Sequence, residues 1–229
     1  MIGIKYFPDP VESSAIEPFN RGENAPAIRV LRAGAAFYAR VYHRLRVLEP
    51  SQVPRHGPAI LVCNHTSGLD PVLIQSACPR FIRWMMAREY FDLKALNWCF
   101  RTVGAIPVER SGRDTAATRA ALRALEEGFA LGVFPEGKIE TTRDLLPFQQ
   151  GIGLMALKTG APVYPAYLDG KQRGREMLAA FALVSGATIA FGPPVDLSKL
   201  EHSRHGVEEA TARIQAAVDR LRASHIDSR

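Results

Sequence analysis

The sequence predicts an α/β fold, with a largely parallel central sheet flanked by helices and an N-terminal amphipathic helix in front of it. Two observations carry this. Short apolar runs of four to seven residues recur between stretches of helical periodicity, the alternation that builds parallel sheets covered on both faces. Glycine and proline mark the boundaries between them.

Residues 1–26 hold several Pro, Ser, Asn and acidic positions and read as a loose leader. From 27 to 48, Ile28, Leu31, Ala35, Tyr38, Val41, Tyr42, Leu45 and Leu48 recur at three- and four-residue steps and share one helix face. Arg29, Arg32, Arg40, His43 and Arg44 fall mainly opposite. Such a basic amphipathic helix either lies on a membrane surface or packs its apolar face on the protein's own core, and the pattern leaves both open.

Residues 49–229 carry the α/β pattern, after a turn-rich connector at 49–58. Strands are expected at 59–63, 81–87, 105–108, 131–134, 162–168 and 187–191. Pro165 suggests that the fifth of these is an edge or ends early. Helices are expected from Pro71, at 93–102, at 115–129, at 150–158 with Gly160 as its stop, and at 207–223.

A chain of 229 residues suits one domain with a sizeable core. Cys63, Cys78 and Cys99 are odd in number and lack C-x-x-C spacing, which argues for reduced thiols and against a disulfide framework or a cysteine-rich zinc site. The net charge of +6 suits an anionic surface or an acidic substrate. No nucleic-acid-binding motif accompanies it. No apolar run reaches the ~20 residues needed to span a bilayer, and the N-terminus lacks a secretory pattern. With the basic helix, these features predict a cytoplasmic protein, peripheral on the inner face of the cell membrane.

The segment Asn64-His65-Thr66-Ser67-Gly68-Leu69-Asp70 follows the first buried strand, where α/β folds place reactive groups. A histidine there can take a proton from a hydroxyl, and a carboxylate in the same loop can fix its tautomer. No G-x-S-x-G nucleophile elbow exists, so a His–Asp pair would act on a substrate hydroxyl. The plainer alternative is that Asp70 before Pro71 merely caps a helix.

Two further segments matter. Gly104-Ala105-Ile106-Pro107-Val108-Glu109-Arg110 and Phe134-Pro135-Glu136-Gly137 follow in order, and Ala161-Pro162-Val163-Tyr164-Pro165 comes later. Together with N-H-x-x-x-x-D at 64–70 these resemble the ordered blocks of the glycerolipid acyltransferase family, typified by 1-acylglycerol-3-phosphate acyltransferases. The resemblance implies that His65 deprotonates an acceptor hydroxyl while Asp70 orients it. The hydroxyl then attacks an acyl-CoA or acyl-carrier-protein thioester, with no cofactor or metal. It also implies that Asn64, Arg110, Glu136 and Gly137 belong to the acceptor pocket, and that the partners are the acyl thioester donor and a lysophospholipid-type acceptor. The basic helix at 27–48 adds an anionic membrane surface as a further expected partner.

The chain departs from that family where Lys138-Ile139 follows F-P-E-G in place of Thr-Arg, and where Gln149 replaces a basic residue after Pro147-Phe148. Lys138 is therefore expected to supply a charge beside the acceptor pocket. Two other patterns fail. Gly132 to Ile139 imitates a phosphate loop but lacks its hydroxyl residue, and Gly151 to Ala156 imitates a dinucleotide fingerprint without a preceding strand. A nicotinamide enzyme and a non-catalytic membrane-binding module of the same fold are the alternatives.

Overall fold

The computed structural model describes residues 26–109, 114–142, 144–175 and 177–227. The 1–25 part of the expected leader and Arg110 lie outside them. Helix α1 (Pro26–Phe37) continues through a π-helical turn (Tyr38–Tyr42) into strand β1 (Arg46–Glu49). Then follow β2 (Ala59–Cys63), α2 (Asp70–Ala77), β3 (Ile82–Ala87), α3 (Arg88–Phe91), α4 (Asn97–Thr102), β4 (Ile106–Val108) and α5 (Thr115–Glu126). The chain goes on through β5 (Ala130–Val133), α6 (Gly151–Thr159), β6 (Val163–Gly170), α7 (Met177–Ala182), β7 (Ala187–Phe191) and α8 (Arg204–Asp227).

The seven strands form one sheet in the order β1-β7-β6-β2-β5-β3-β4. All neighbours run parallel except β6 and β7. This is the α/β class the alternating pattern predicts. Strand β2 is buried along its whole length because helices cover both faces. Leu61 and Cys63 point into a core shared with α2, whereas Ile60 and Val62 point into a core built with α5, α6 and α8. That is the period-two consequence of the pleat.

Three expectations need correction. The helix expected over 27–48 stops at Tyr42, and residues 46–49 form the edge strand β1 beside β7. Arg44 breaks the helix with a left-handed φ of 47°. Leu45 and Leu48 fit helical spacing, but Arg46, Val47, Leu48 and Glu49 lie exposed along that edge strand, so periodicity misjudged where the turn falls. The helix expected over 93–102 starts only at Asn97: α4 covers its second half, residues 93–96 form a turn, and the separate short helix α3 lies before it. Strand β6 is not an edge: it pairs with β2 on one side and β7 on the other. Pro165 is tolerated because the β7 ladder begins one residue later, at Ala166 opposite Phe191, while the Pro165 carbonyl accepts the Gly192 N–H. Helix α7 went unpredicted.

Strand β2 is flanked by β5 and β6, both parallel to it, with Val62 opposite Val133 and Cys63 opposite Ala166. The segments leaving all three strands therefore emerge side by side at one edge of the sheet. That edge holds the candidate site.

Candidate active site

The loop after β2 is built around Asp70, which is fully buried. Its Oδ2 accepts the backbone N–H groups of Thr66 (2.5 Å) and Ser67 (2.8 Å), and its Oδ1 accepts their hydroxyls at 2.9 and 3.0 Å. The fifth partner is His65 Nδ1, 3.0 Å from Oδ2. The carboxylate makes no capping bond to α2, so it does not play the helix-cap role that the Asp-Pro pair alone would suggest. It turns back, shapes the loop and holds the imidazole.

With Asp70 accepting at Nδ1, the Nε2 lone pair is the ring's open position. The ring is stacked on Phe134, centroids 4.1 Å apart and planes 14° apart, and Phe134 is stacked on Trp84 at 4.9 Å. Gly132 makes this possible, since a Cβ there would lie 2.5 Å from the Trp84 ring. The imidazole is thus fixed by a hydrogen bond at one edge and an aromatic face below, an arrangement that would suit a general base.

Glu136 leaves β5 next to His65. Its Oε1 accepts the His65 N–H at 3.4 Å and its Oε2 accepts the Leu146 N–H at 3.4 Å. Burial pushes this carboxyl from 4.5 up to about 7, against the downward pull of those two N–H donors and of the Arg173 charge, with Asp70 adding a smaller upward push. The sign of the linked stability follows. Between pH 4.5 and about 7 the folded protein keeps a proton that the unfolded chain releases, so the contribution is present at low pH and lost as pH rises. Relative to wild type, Glu136→Gln should therefore gain about 3 kcal/mol across that window. Urea melts at a series of pH values check this, and parallel wild-type and variant curves would refute it.

The other expected residues are placed unequally. Asn64 is fully buried, and both ends of its amide are taken by the backbone of Leu168: Nδ2 donates to its carbonyl at 2.9 Å and Oδ1 accepts its N–H at 2.8 Å. Asn64 thus clamps β2 to β6, a different placement from the acceptor contact expected. Gly137 is exposed with φ 72°, and the Gln149 amide fills the space a Cβ would need. Lys138 is exposed and makes no hydrogen bond or ion pair among the described residues.

Sequence reasoning missed Thr66 and Ser67 as partners of Asp70, the Phe134–Trp84 stack, and the ion pairs that join Arg173 to Glu140 and Asp169. The hydroxyl residues inside the loop were the available signal for the first. Cys63 is buried and its thiol is pushed well up by burial; Cys78 is pushed to about 12 for the same reason. Both are inert packing residues. Among the described residues no group of three or more His, Cys, Asp or Glu is placed to hold a metal.

Residues 44–169 match the family model described as Acyltransferase. The chain belongs to that family. The match takes in His65, Asp70 and Glu136, and the glycerolipid acyltransferase resemblance of the sequence blocks is borne out. A 1-acyl-sn-glycerol-3-phosphate acyltransferase of Bacillus subtilis is 25% identical over 134 residues, 58% of this chain and 66% of that protein. One of Borreliella burgdorferi is 30% identical over 129 residues, 55% of this chain and 51% of that one. An N-acylphosphatidylethanolamine synthase of Arabidopsis thaliana is 34% identical over 136 residues, 52% and 45% of the two chains. The matches thus span about half to two thirds of these relatives' lengths. The crystal structure of a 1-acyl-sn-glycerophosphate acyltransferase from Thermotoga maritima superposes with a TM-score of 0.60 at 23% identity, over 84% of this chain and 80% of that one, and shows the shared fold.

Proposed function

We propose that the protein transfers a fatty acyl group from a thioester to the hydroxyl of a lysophospholipid-type acceptor, 1-acylglycerol-3-phosphate being the acceptor its relatives' names suggest. The observation that carries this reading is the His65–Asp70 pair at 3.0 Å, built into a loop of a family acyltransferase that offers no serine or cysteine elbow. The acceptor hydroxyl gives its proton to His65 Nε2 as its oxygen attacks the thioester carbonyl. Asp70 stabilises the imidazolium that forms. Collapse of the tetrahedral adduct expels the thiolate of coenzyme A or of an acyl-carrier protein, and His65 returns the proton to it. No protein-bound acyl intermediate is needed.

The test is a panel of acyl-CoA and acyl-carrier-protein donors against lysophosphatidate, neutral lysolipids and monoacylglycerol, with products read by mass spectrometry. A wild-type protein that acylates none of them would end this reading. The same panel weighs Lys138. Its exposed ammonium is the cation following Gly137, and a charge-assisted contact to a phosphate is worth about 1.5–3 kcal/mol when shielded and less in solvent. Lys138→Ala should raise the KM for a phosphorylated acceptor about three- to tenfold and leave a neutral acceptor unaffected. Unchanged KM with every anionic acceptor would make Lys138 a bystander.

The same reading calls for access to lipid. The stretch from Pro26 to Leu48 contains no acidic residue. Val30, Phe37 and Val41 are exposed there at 71%, 69% and 60%, beside exposed Arg29, Arg40 and Arg44. No described helix is long and apolar enough to cross a membrane. A peripheral dock fits this combination, each arginine adding about 1 kcal/mol at an anionic leaflet. Flotation with phosphatidylglycerol vesicles should weaken as salt rises, and should fall when Arg29, Arg40 and Arg44 are all changed to Gln. Flotation unaltered by both treatments would leave the helix a packing element only.

A further inference from the structure

The loop that carries His65 is held from two sides. On one side the Glu140 N–H donates to the His65 carbonyl at 2.7 Å, and Glu136 accepts the His65 N–H. On the other, the turn after β6 supplies three bonds. Gly174 N–H donates to the Thr66 carbonyl at 2.7 Å, Gln172 Nε2 donates to Thr66 Oγ1 at 3.3 Å, and the Arg175 carbonyl accepts the Gly68 N–H at 3.3 Å. Gly170 permits this turn, since a Cβ there would run into the Gly186 carbonyl oxygen.

Arg173 joins the two supports. One guanidinium nitrogen donates to the Glu140 carboxylate and to the Thr142 carbonyl, and the other donates to Asp169 Oδ1 at 2.8 Å. Both carboxylates are 2% exposed and the arginine side chain 11%. Asp169 is anchored in turn at the end of β6, with His225 Nε2 of α8 3.8 Å from its Oδ2. Two buried carboxylates bridged by one guanidinium lose that bridge if the cation is removed, and their like charges then repel. One of them belongs to the residue whose N–H holds His65.

We propose that Arg173 is a positioning residue for the acyl transfer: by bridging Glu140 to Asp169 it fixes both backbone supports of His65 at one distance. It lies outside the residues that match the family model, 44–169. This inference rests on the acyl-transfer reading above.

The test uses the full chain. Arg173→Met should lower kcat about 10²-fold, the scale of a 1 Å misplacement of a catalytic group, with KM for donor and acceptor little changed. Arg173→Lys should recover part of the loss, since an ammonium restores the charge without the two-pronged bridge. Arg173→Met also leaves two charges buried, so Glu140→Gln/Asp169→Asn/Arg173→Met serves as the second variant. Neutralising all three groups should restore thermal stability while kcat stays low. Return of kcat together with stability would overturn the proposal and leave Arg173 a charge balancer. So would a folded Arg173→Met variant with wild-type kcat. Carbethoxylation of His65 by diethyl pyrocarbonate, followed by peptide mass spectrometry, gives a readout independent of activity. It should run severalfold faster in Arg173→Met, and an unchanged rate would refute the clamp. If wild type transfers no acyl group yet this acceleration is seen, the clamp stands and the acyl-transfer reading falls.

Discussion

His65→Ala should abolish acyl transfer while leaving a folded protein. The imidazole sits on a loop, half-buried, and packs against Phe134 without entering the sheet core. Removing it forfeits one stacked ring, about 0.5–1.5 kcal/mol, and frees one of the five donors that Asp70 accepts. The loop keeps its four other bonds to Asp70 and its backbone bonds to Glu136 and Glu140. In the proposed mechanism, what disappears is the group that takes the acceptor's proton, worth about 10²–10⁴-fold in rate. The loss should appear in kcat with KM for both substrates nearly unchanged, because proton abstraction belongs to the transition state. Steady-state rates with the best donor and acceptor pair, alongside thermal melts, check this. A well-folded His65→Ala protein turning over at the wild-type rate would remove His65 from the mechanism.

Much of this site was legible in the sequence, and the reasons divide cleanly. Residues 64–70 and 134–137 are contiguous blocks, each following a buried apolar run, so a chain that alternates strands with helices had to bring both to one sheet edge. Pairing at one end of adjacent parallel strands then places His65 and Glu136 in contact. Three features were hidden for physical reasons. Arg173 lies 33 residues from Glu140, and nothing in either local pattern marks a buried ion pair formed by a turn after a different strand. The family's N-H-x-x-x-x-D block assigns Asn64 to the acceptor pocket by its position, yet its side chain mimics a strand's own pairing with Leu168, a role visible only once β6 lies beside β2. The segment at 46–49 was misjudged because Leu45 and Leu48 satisfy helical spacing while the left-handed Arg44 carries no glycine to announce the turn. Spacing reports which residues share a face. It does not report where the backbone changes direction.

Asp70→Asn should be the more instructive of the two large effects, because it separates charge from shape. The buried carboxylate accepts three N–H groups at Oδ2, from Thr66, Ser67 and His65, and two hydroxyls at Oδ1. An asparagine amide can place its oxygen at only one of these positions. With the NH₂ at the Oδ2 position, two buried backbone N–H groups would face another donor, at about 1–3 kcal/mol each. With the NH₂ at the Oδ1 position, the Thr66 and Ser67 hydroxyls can rotate and accept it, since a hydroxyl serves in either role. The substituted amide therefore takes the second orientation, the loop keeps its shape, and His65 keeps its Nδ1–H tautomer. Only the negative charge beside the imidazolium is lost. The expected result is a folded enzyme slowed about 10²–10⁴-fold in kcat, with KM for donor and acceptor close to wild type. Asp70→Ala should behave differently, losing several kcal/mol of stability because both backbone N–H groups are left without an acceptor. Thermal melts and steady-state kinetics on the two variants distinguish these outcomes. Wild-type turnover by Asp70→Asn would reduce Asp70 to a loop scaffold and leave His65 to act without a charged partner.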